Sequence, residues 1–362
     1  MANSVNVIEA ASTAAVTSDI LPLQSGQLAS VHTGSTVSVW MLDLASAATV
    51  GSTVLATQSG TGRWLLVAQF GASSSFGMGD YYGLGIDSSR TDNGGGAGTA
   101  ITQPRDYTDW TISNATTIRE AGYYCAVRGT LSLAASCIIH NDGFAGSDNA
   151  TAGGTGAGMA GQIEFSHANG GSGGGATSPG AAGSNQTNAL GGAGGKGGNS
   201  AAAVAGGAGG TATVPNTGSV GRFTYLQAKY LLNSNYTQPF GGSPGGGGAG
   251  GAANPGSGGG SGGGVVWIAA KNITLASGAK ITANGGRGGN TSVGTGGGGG
   301  GGGGGVVFVF CDTMTKVDSY ATHFTVDGGA AGTASGGGVA GVAGSAGRVF
   351  VFEGGILTYT SP

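Results

Sequence analysis

The clearest candidate for chemistry in this chain is a short run in which two carboxylates flank an aromatic residue. Asp106 and Asp109 stand on either side of Tyr107, and Trp110 follows at once. Paired carboxylates are the groups that most glycoside hydrolases use to cleave sugar chains, and neighbouring aromatic rings suit a sugar-binding groove. The alternative interpretation is a polar loop that leads into a β-strand, which leaves both carboxylates without a catalytic role.

Metal and cofactor signatures are missing from the sequence. His32, His140, His167 and His323 occur singly, without HxxH or HExxH spacing, so we expect no zinc site. Residues 142–149 combine acidic residues with glycine but lack the DxDxDG core and closing glutamate of a calcium loop, and we interpret them as a solvated turn. Matches to GxGxxG carry no weight among 84 glycines. We expect no metal and no cofactor.

The charge and cysteine content argue against several other classes of protein. The 13 basic residues are not clustered, so we expect no nucleic-acid partner. The sequence contains no run of eighteen apolar residues, so we predict no membrane-spanning helix. The first residues lack a basic region followed by an apolar one, so we expect synthesis in the cytoplasm without a secretory signal. Cys125, Cys137 and Cys311 show no CxxC spacing, and we expect buried, reduced thiols.

A second candidate site is an aromatic segment between two glycine-rich stretches, at residues 222–240. Its aromatic side chains combine flat apolar faces with polar tips, which suits stacking on sugar rings or packing on a protein receptor. The alternative is that they form the small core of an inserted unit. Because polar residues flank Tyr236, we expect that side chain to be exposed. The receptor-binding candidates are Tyr225, Tyr230, Tyr236 and Phe240.

The scaffold that must position these residues is dominated by glycine. Ten consecutive glycines at residues 296–305 run directly into an apolar strand at 306–310, which has to be buried. One interpretation is a flexible linker. The other is an array of polyglycine helices of the polyproline II type, whose backbone groups pair with neighbouring chains where side chains are missing. Only 8% of residues are charged and the mean hydropathy is +0.10, which favours the ordered array.

Glycine-rich stretches and apolar strands alternate as a repeat. Residues 262–264 lead into a strand at 265–269, and the ten-glycine run leads into the strand at 306–310, displaced by 41 residues. A third copy is the strand at 349–352, a further 43 residues along. A second strand recurs at residues 280–286 and 323–329. A period of this length indicates an array in which each unit buries its face against its neighbours.

We predict an all-β protein with almost no α-helix and three domains. Residues 1–75 form an N-terminal β module, 76–142 a region resembling a β-solenoid, and 143–362 a repeat domain of polyglycine II helices interleaved with short strands. An antiparallel β-sandwich is the alternative for the middle region. Strands are expected at residues 36–42, 63–68, 110–112, 116–118, 123–127, 130–133 and 136–139.

The glycine blocks with short apolar strands between them resemble the glycine-rich tip adhesins of T-even-like bacteriophage long tail fibres. Residues 48–67 look like segments that precede the β-helices of phage tail fibres and tailspikes. Residues 81–87 and 129–133 look like glycine-rich phage surface proteins. The resemblance extends over most of the chain and implies a sandwich of polyglycine II helices with receptor-reading loops. Here, however, strands recur throughout the C-terminal half, whereas the tip adhesins concentrate variation in a few loops.

The resemblance implies a virion protein, without enzymatic activity, that binds a host cell-surface receptor such as a polysaccharide or an outer-membrane protein. It also implies attachment to other virion tail proteins through residues 1–75, and a homo-oligomer, as a trimer in many phage fibres. One alternative is a non-adhesive fibre that decorates a capsid or tail. Another is a tailspike that depolymerises polysaccharide with Asp106 and Asp109. An ice-binding polyglycine protein is disfavoured, because ice binding requires a regular flat face of threonines and the threonines of this chain are irregularly spaced.

Overall fold

The chain divides into two compact units, Met1–Asp80 and Tyr81–Pro362, in the computed structural model. Among the residues that the structure describes, no helix is both long enough and apolar enough to cross a membrane. The described residues are 7–10, 28–33, 36–43, 54–56, 63–70, 82, 85–97, 100–148, 170–187, 191–213, 241–251, 254–354 and 356–361.

The first unit is built around one five-stranded sheet, here called sheet I, with strand order β1-β2-β3-β5-β4. Strands β1 and β2 are parallel, and the other neighbours are antiparallel. The alternating pattern that predicted strands at 36–42 and 63–68 is confirmed by β3 and β5. The strands are β1 (Val7–Ala10), β2 (Leu28–Thr33), β3 (Thr36–Asp43), β4 (Val54–Ala56) and β5 (Arg63–Phe70).

The second unit contains the remaining described strands and one four-residue helix. Its strands are β6 (Arg90–Asp92), β7 (Gly96–Ala97), β8 (Arg105–Tyr107), β9 (Trp110–Ile112), β10 (Thr116–Arg119), β11 (Cys125–Leu133), β12 (Ile138–His140), β13 (Gln186–Thr187), β14 (Ala212–Thr213), β15 (Val265–Leu275), β16 (Lys280–Thr282), β17 (Val306–Cys311), β18 (Thr313–Lys316), β19 (Phe324–Thr325), β20 (Arg348–Glu353) and β21 (Ile356–Thr360). The helix, α1, is Tyr320–His323. The all-β prediction with almost no helix is confirmed.

Two sheets of this unit are parallel and stack as the coils of a β-solenoid. Sheet II has the order β7-β10-β12-β16-β19, and sheet III has the order β6-β9-β11-β15-β17-β20-β21 with β8 and β18 beside them. The chain alternates between the two sheets, since β9, β11 and β15 in sheet III are followed by β10, β12 and β16 in sheet II. Among the described strands of these two sheets, only the last pair, β20 and β21, is antiparallel. The solenoid interpretation of the middle region therefore holds, and the antiparallel sandwich is excluded.

The hydrophobic core lies between sheets II and III. Because strand side chains alternate between faces, Val307, Val309 and Cys311 of β17 point inward and join Ile139 and Ile281 of sheet II in one buried cluster. All three cysteines are buried and unpaired, as predicted from their spacing. Burial raises the pKa of the Cys311 thiol to about 12, which leaves it inert at neutral pH.

The strand repeat read from the sequence matches the observed register, with one correction. Val265 pairs with Val306, and Ile281 pairs with Phe324, as the two repeats predicted. In the third copy Val306 pairs with Arg348, so the predicted alignment of Val306 with Val349 is one residue out of register. Arg348 is the first residue of β20, although its charge suggested that it belonged to the preceding glycine-rich stretch.

The division expected between residues 142 and 143 falls inside the second unit. On its N-terminal side, β11 pairs in parallel with β15, which lies far beyond it in sequence. In sheet II, β12 pairs with β16 in the same way. Strands from both sides of residue 142 therefore belong to the same two sheets and share one core.

The glycine-rich stretches form a bundle of extended chains that continues the two sheets. We call this the glycine bundle; hydrogen bonds between its segments recur at every third residue. Three residues per turn and bonding only to other chains are the properties of the polyglycine II form of the polyproline II helix. For example, Gly297, Gly300 and Gly303 donate to Ala249, Gly246 and Ser243. The segments are 141–148, 171–184, 191–211, 241–251, 254–264, 283–305 and 326–347.

The ten-glycine run is the central helix of the glycine bundle. Every N–H from residue 297 to residue 305 donates to a backbone carbonyl outside the ten-glycine run, and every carbonyl in that range accepts from a backbone N–H outside it. Gly300, for instance, donates to the Gly246 oxygen at 2.8 Å and accepts from the Gly260 nitrogen at 2.9 Å. Six segments surround it, at residues 192–198, 243–249, 257–263, 283–289, 329–332 and 339–345. The linker interpretation is therefore excluded for this run.

Three rows of the bundle have a simple relation to the sheets. The sheet II row, residues 141–148, 283–291 and 326–333, follows β12, β16 and β19. The sheet III row, residues 254–264, 296–305 and 338–347, precedes β15, β17 and β20. An outer row, residues 191–200 and 241–251, bonds to the sheet III row on the side away from the sheet II row. The bundle and the solenoid are therefore one continuous structure.

Replacing the central Gly300 by alanine should destabilise the second unit. Its added Cβ would overlap the backbone oxygen of Gly195, and backbone cannot rotate away as a side chain can. We expect a loss of about 3 kcal/mol or more in the free energy of unfolding. Gly175→Ala is the matched control, because nothing lies within 4 Å of its added Cβ, and it should change stability by about 1 kcal/mol or less. Equal effects in chemical denaturation would contradict the bundle packing.

Candidate functional site

The aromatic segment predicted to bind a receptor lies outside the described residues, but its two ends are fixed in the glycine bundle. Tyr225, Tyr230, Tyr236 and Phe240 all fall between the described residues 213 and 241. On one side, the Thr211 oxygen accepts from the Ser243 hydroxyl at 2.9 Å. On the other side, the Gly242 nitrogen donates to the Gly263 oxygen at 2.8 Å. The bundle therefore holds both ends of this segment beside residues 242–244, and the second end also lies close to the start of β15.

The carboxylate pair is engaged by backbone amides. Asp106 Oδ1 accepts from the Gly85 nitrogen at 2.7 Å. Asp109 Oδ1 accepts from the Thr130 nitrogen at 2.8 Å, at the point where the register of β11 with β15 shifts. A β-bulge leaves a backbone N–H without a strand partner, and the Asp109 carboxylate supplies the acceptor. Each carboxylate therefore bonds to a backbone amide of a neighbouring part of the solenoid, and Asp106 itself lies in strand β8.

The aromatic residues beside that pair belong to a network that the sequence analysis missed. Arg90 forms a bidentate ion pair with Asp92, at 2.6 and 2.9 Å, and donates to the Tyr107 hydroxyl at 2.7 Å. Trp110 Nε1 donates to Asp92 Oδ2 at 2.8 Å. The guanidinium also lies 5.6 and 5.5 Å from the Tyr107 and Trp110 ring centroids. This network fastens the edge strand β6, and the spacing of Arg90 and Asp92 on one strand face was its only sequence signal.

Glu120 is the one fully buried carboxyl among the described residues. Its Oε2 accepts from the Gly122 nitrogen at 2.7 Å and its Oε1 from the Trp267 nitrogen at 3.4 Å. Trp267 stands one residue before β15 begins to pair with β11, so its N–H has no strand partner there. Burial raises the pKa of Glu120 well above its ordinary value, and the two N–H donors oppose that rise only in part.

The acidic run at residues 142–148 is part of the sheet II row, and the solvated turn predicted for it is wrong. The Gly143 and Gly146 nitrogens donate to the oxygens of residues 284 and 287 in the next segment. Asp142 Oδ1 accepts from the Asn284 nitrogen at 2.6 Å, and Asp148 Oδ1 from the Asn290 nitrogen at 2.7 Å. These carboxylates therefore satisfy amides at the bundle surface.

His140 and His323 both have structural partners. His323 is fully buried, and its Nδ1 lies 2.7 Å from the Ala279 oxygen while its Nε2 accepts from the Asp318 nitrogen at 3.2 Å. His140 Nδ1 lies 3.6 Å from Asp142, and burial lowers the pKa of His140. No group of three or more potential metal-ligating side chains occurs within the described ranges.

Comparison with known proteins adds no relative to this picture: no family model, no curated protein and no solved structure matches the chain. Its polar clusters join neighbouring coils or cap exposed backbone amides, and the aromatic segment anchored at residues 213 and 241 remains the candidate binding region.

Removing the Asp109 carboxylate should lower stability without removing an activity. Asp109→Ala leaves the Thr130 N–H without its acceptor, so we expect the free energy of unfolding to fall by about 1–2 kcal/mol. Asp109→Asn keeps an acceptor oxygen and should cost less. Chemical denaturation measures both values, and incubation with bacterial capsular polysaccharides tests for cleavage. Cleavage by the wild type that Asp109→Asn abolishes, with stability unchanged, would instead make this residue catalytic.

Glu120 should make stability depend on pH in a way that Glu120→Gln does not. The unfolded carboxyl has a pKa of about 4.3, and the folded pKa is higher, so the folded state binds more protons between these values. The free energy of unfolding therefore falls as pH rises through this window, because the unfolded carboxyl releases its proton there while the buried carboxyl in the folded state retains it.

The measurement is chemical denaturation of both proteins at roughly pH 5 and pH 9. Glu120→Gln cannot ionise, so its stability relative to wild type should improve toward the higher pH. Other titrating groups are common to the two proteins and cancel in that difference. A difference that stays constant across the range would show that Glu120 has the same pKa in the folded and unfolded states.

Proposed function

We propose that this protein is a non-enzymatic structural and receptor-binding component of a phage tail fibre or spike. The observation that carries the proposal is the glycine bundle, which fixes both ends of the aromatic segment at residues 213 and 241. A backbone lattice of this kind is rigid. Because it already fixes the ends of an inserted segment, less conformational entropy is lost when that segment binds a receptor. The resemblance of the glycine blocks to phage tip adhesins supports the same assignment.

In this proposal the partner is a host cell-surface receptor, either a polysaccharide or an outer-membrane protein. Residues 1–75 attach the protein to other tail proteins, and the assembled form is a homo-oligomer, such as a trimer. The protein is made in the host cytoplasm and ends in the virion. Tyr236 is the aromatic residue of the segment that we assign to receptor contact, because polar residues flank it.

The purified full-length protein should bind susceptible bacteria and compete with infection. Tyr236→Ala should weaken cell binding by about tenfold or more, since an aromatic side chain at the centre of an interface contributes about 2 kcal/mol or more. Phe144→Ala is a control on another aromatic side chain, 41% exposed, in the bundle. Binding is measured by flow cytometry with labelled protein.

Failure to bind any strain that supports infection would overturn the receptor-binding proposal. Binding that Tyr236→Ala and Phe144→Ala leave equally intact would keep a receptor function but place it elsewhere on the chain. Normal unfolding curves for both variants show that any loss of binding is local.

A further inference from the structure

Sheet III carries a continuous aromatic face on the side away from sheet II. Its rings contact one another across three neighbouring strands. Phe308 stacks on Phe350 and Phe310 on Phe352, with centroid distances of 5.2 and 4.8 Å, and the Trp267 ring lies tilted against Phe308 at 4.8 Å. We call this the aromatic face; its residues are Trp267, Phe308, Phe310, Phe350 and Phe352.

The side on which these rings lie follows from strand alternation. Val307 and Val309 alternate with Phe308 along β17 and pack in the core with sheet II. The rings therefore point the other way, toward the side that the outer row of the glycine bundle occupies. None of the five side chains is more than 2% exposed, so the aromatic face is covered.

The described residues account for part of this cover. The Tyr124 ring lies 6.5 Å from that of Trp267, and the Tyr82 hydroxyl donates to Asp312 at 3.0 Å. Phe308, Phe310 and Phe350 each have a further interaction beyond these ring pairs. Trp267 Nε1 is buried and has no hydrogen-bond acceptor among the described residues.

The two ends of one segment lie next to each other in the outer part of the bundle. Gly242 bonds to Gly263, two residues before β15 begins, and Gly241 packs against Gly264. Thr211 bonds to Ser243 in the same outer row, and β14 carries the chain on from there. The described residues that flank positions 214–240 therefore lie next to each other in the bundle, and the Gly242 end lies beside the start of β15.

We propose that the aromatic face is the docking surface for residues 214–240 of the same chain. The segment is long enough to cross three strands, which lie about 5 Å apart, and return. It is also the only stretch between the outer-row ends that is rich in large apolar residues, namely Phe223, Tyr225, Leu226, Tyr230, Leu231, Leu232 and Phe240. In this arrangement Tyr225 and Tyr230 belong to the core of the unit, which removes them from the receptor-binding candidates.

A photo-crosslinking experiment on the full-length chain identifies the occupant directly. p-Benzoylphenylalanine replaces Phe350, and mass spectrometry locates the crosslinked peptide after irradiation and digestion. A peptide from residues 214–240 of the same chain is the expected result. A peptide from residues 1–80, or a crosslinked dimer, would overturn the proposal in favour of the other unit or a second copy. The matched control is the same probe at Val351, on the inner face, which should crosslink to sheet II.

A second probe position keeps the test decisive if the Phe350 variant does not fold. The benzophenone then replaces Tyr225, where it should crosslink to residues 306–310 or 348–352. Crosslinking only to residues outside sheet III would contradict docking. The outcome is independent of receptor binding, since a segment can pack on the sheet whether or not the protein recognises a cell.

Discussion

The structure of the second unit depends on hydrogen bonds between extended backbones that lie side by side. A polyglycine II helix makes no internal hydrogen bond, so each N–H and C=O must find a partner on another segment or in water. Gly300 meets this demand by bonding to Gly246 on one side and Gly260 on the other. Neighbouring backbones approach this closely only where no Cβ intervenes. Glycine is costly in conformational entropy, and the energy of a fully bonded, buried lattice offsets that cost.

This constraint explains how the glycine pattern varies from segment to segment. The central helix has six neighbours, and all three residues of each turn are glycine. The segment at 284–290 has neighbours on about four sides. Its sequence repeats a unit of one larger residue followed by two glycines. The segment at 338–347 lies at a corner of the bundle and keeps one glycine per turn, with exposed Val339 and Val342 outside. The number of glycines per turn therefore reports how deep a segment lies in the bundle.

Sequence reasoning recovered the elements whose signal is local. The strands Trp110–Ile112 and Thr116–Arg119 were recognised because short β-rich runs between turn residues need no tertiary context. The pairing of Val265 with Val306 followed from the repeat. The role of residues 142–148 could not be predicted in this way, because their bonding partners lie near residue 284. The same holds for Glu120, whose contact with the Trp267 nitrogen joins residues far apart in sequence.

The edges of the glycine bundle show how such a lattice ends within one chain. At the surface of the sheet II row, Asn284 Oδ1 accepts from the Asp327 nitrogen at 2.8 Å, and Asn290 Oδ1 from the Thr333 nitrogen at 2.9 Å. Each side-chain oxygen takes the place of the carbonyl that a further backbone would have supplied, so these amides are satisfied without another chain. An asparagine or aspartate in the outward position also puts a side chain where the next backbone would have to lie. The same residues that complete the hydrogen bonding of the surface therefore stop the lattice from growing, which makes a finite bundle with fixed chain ends possible.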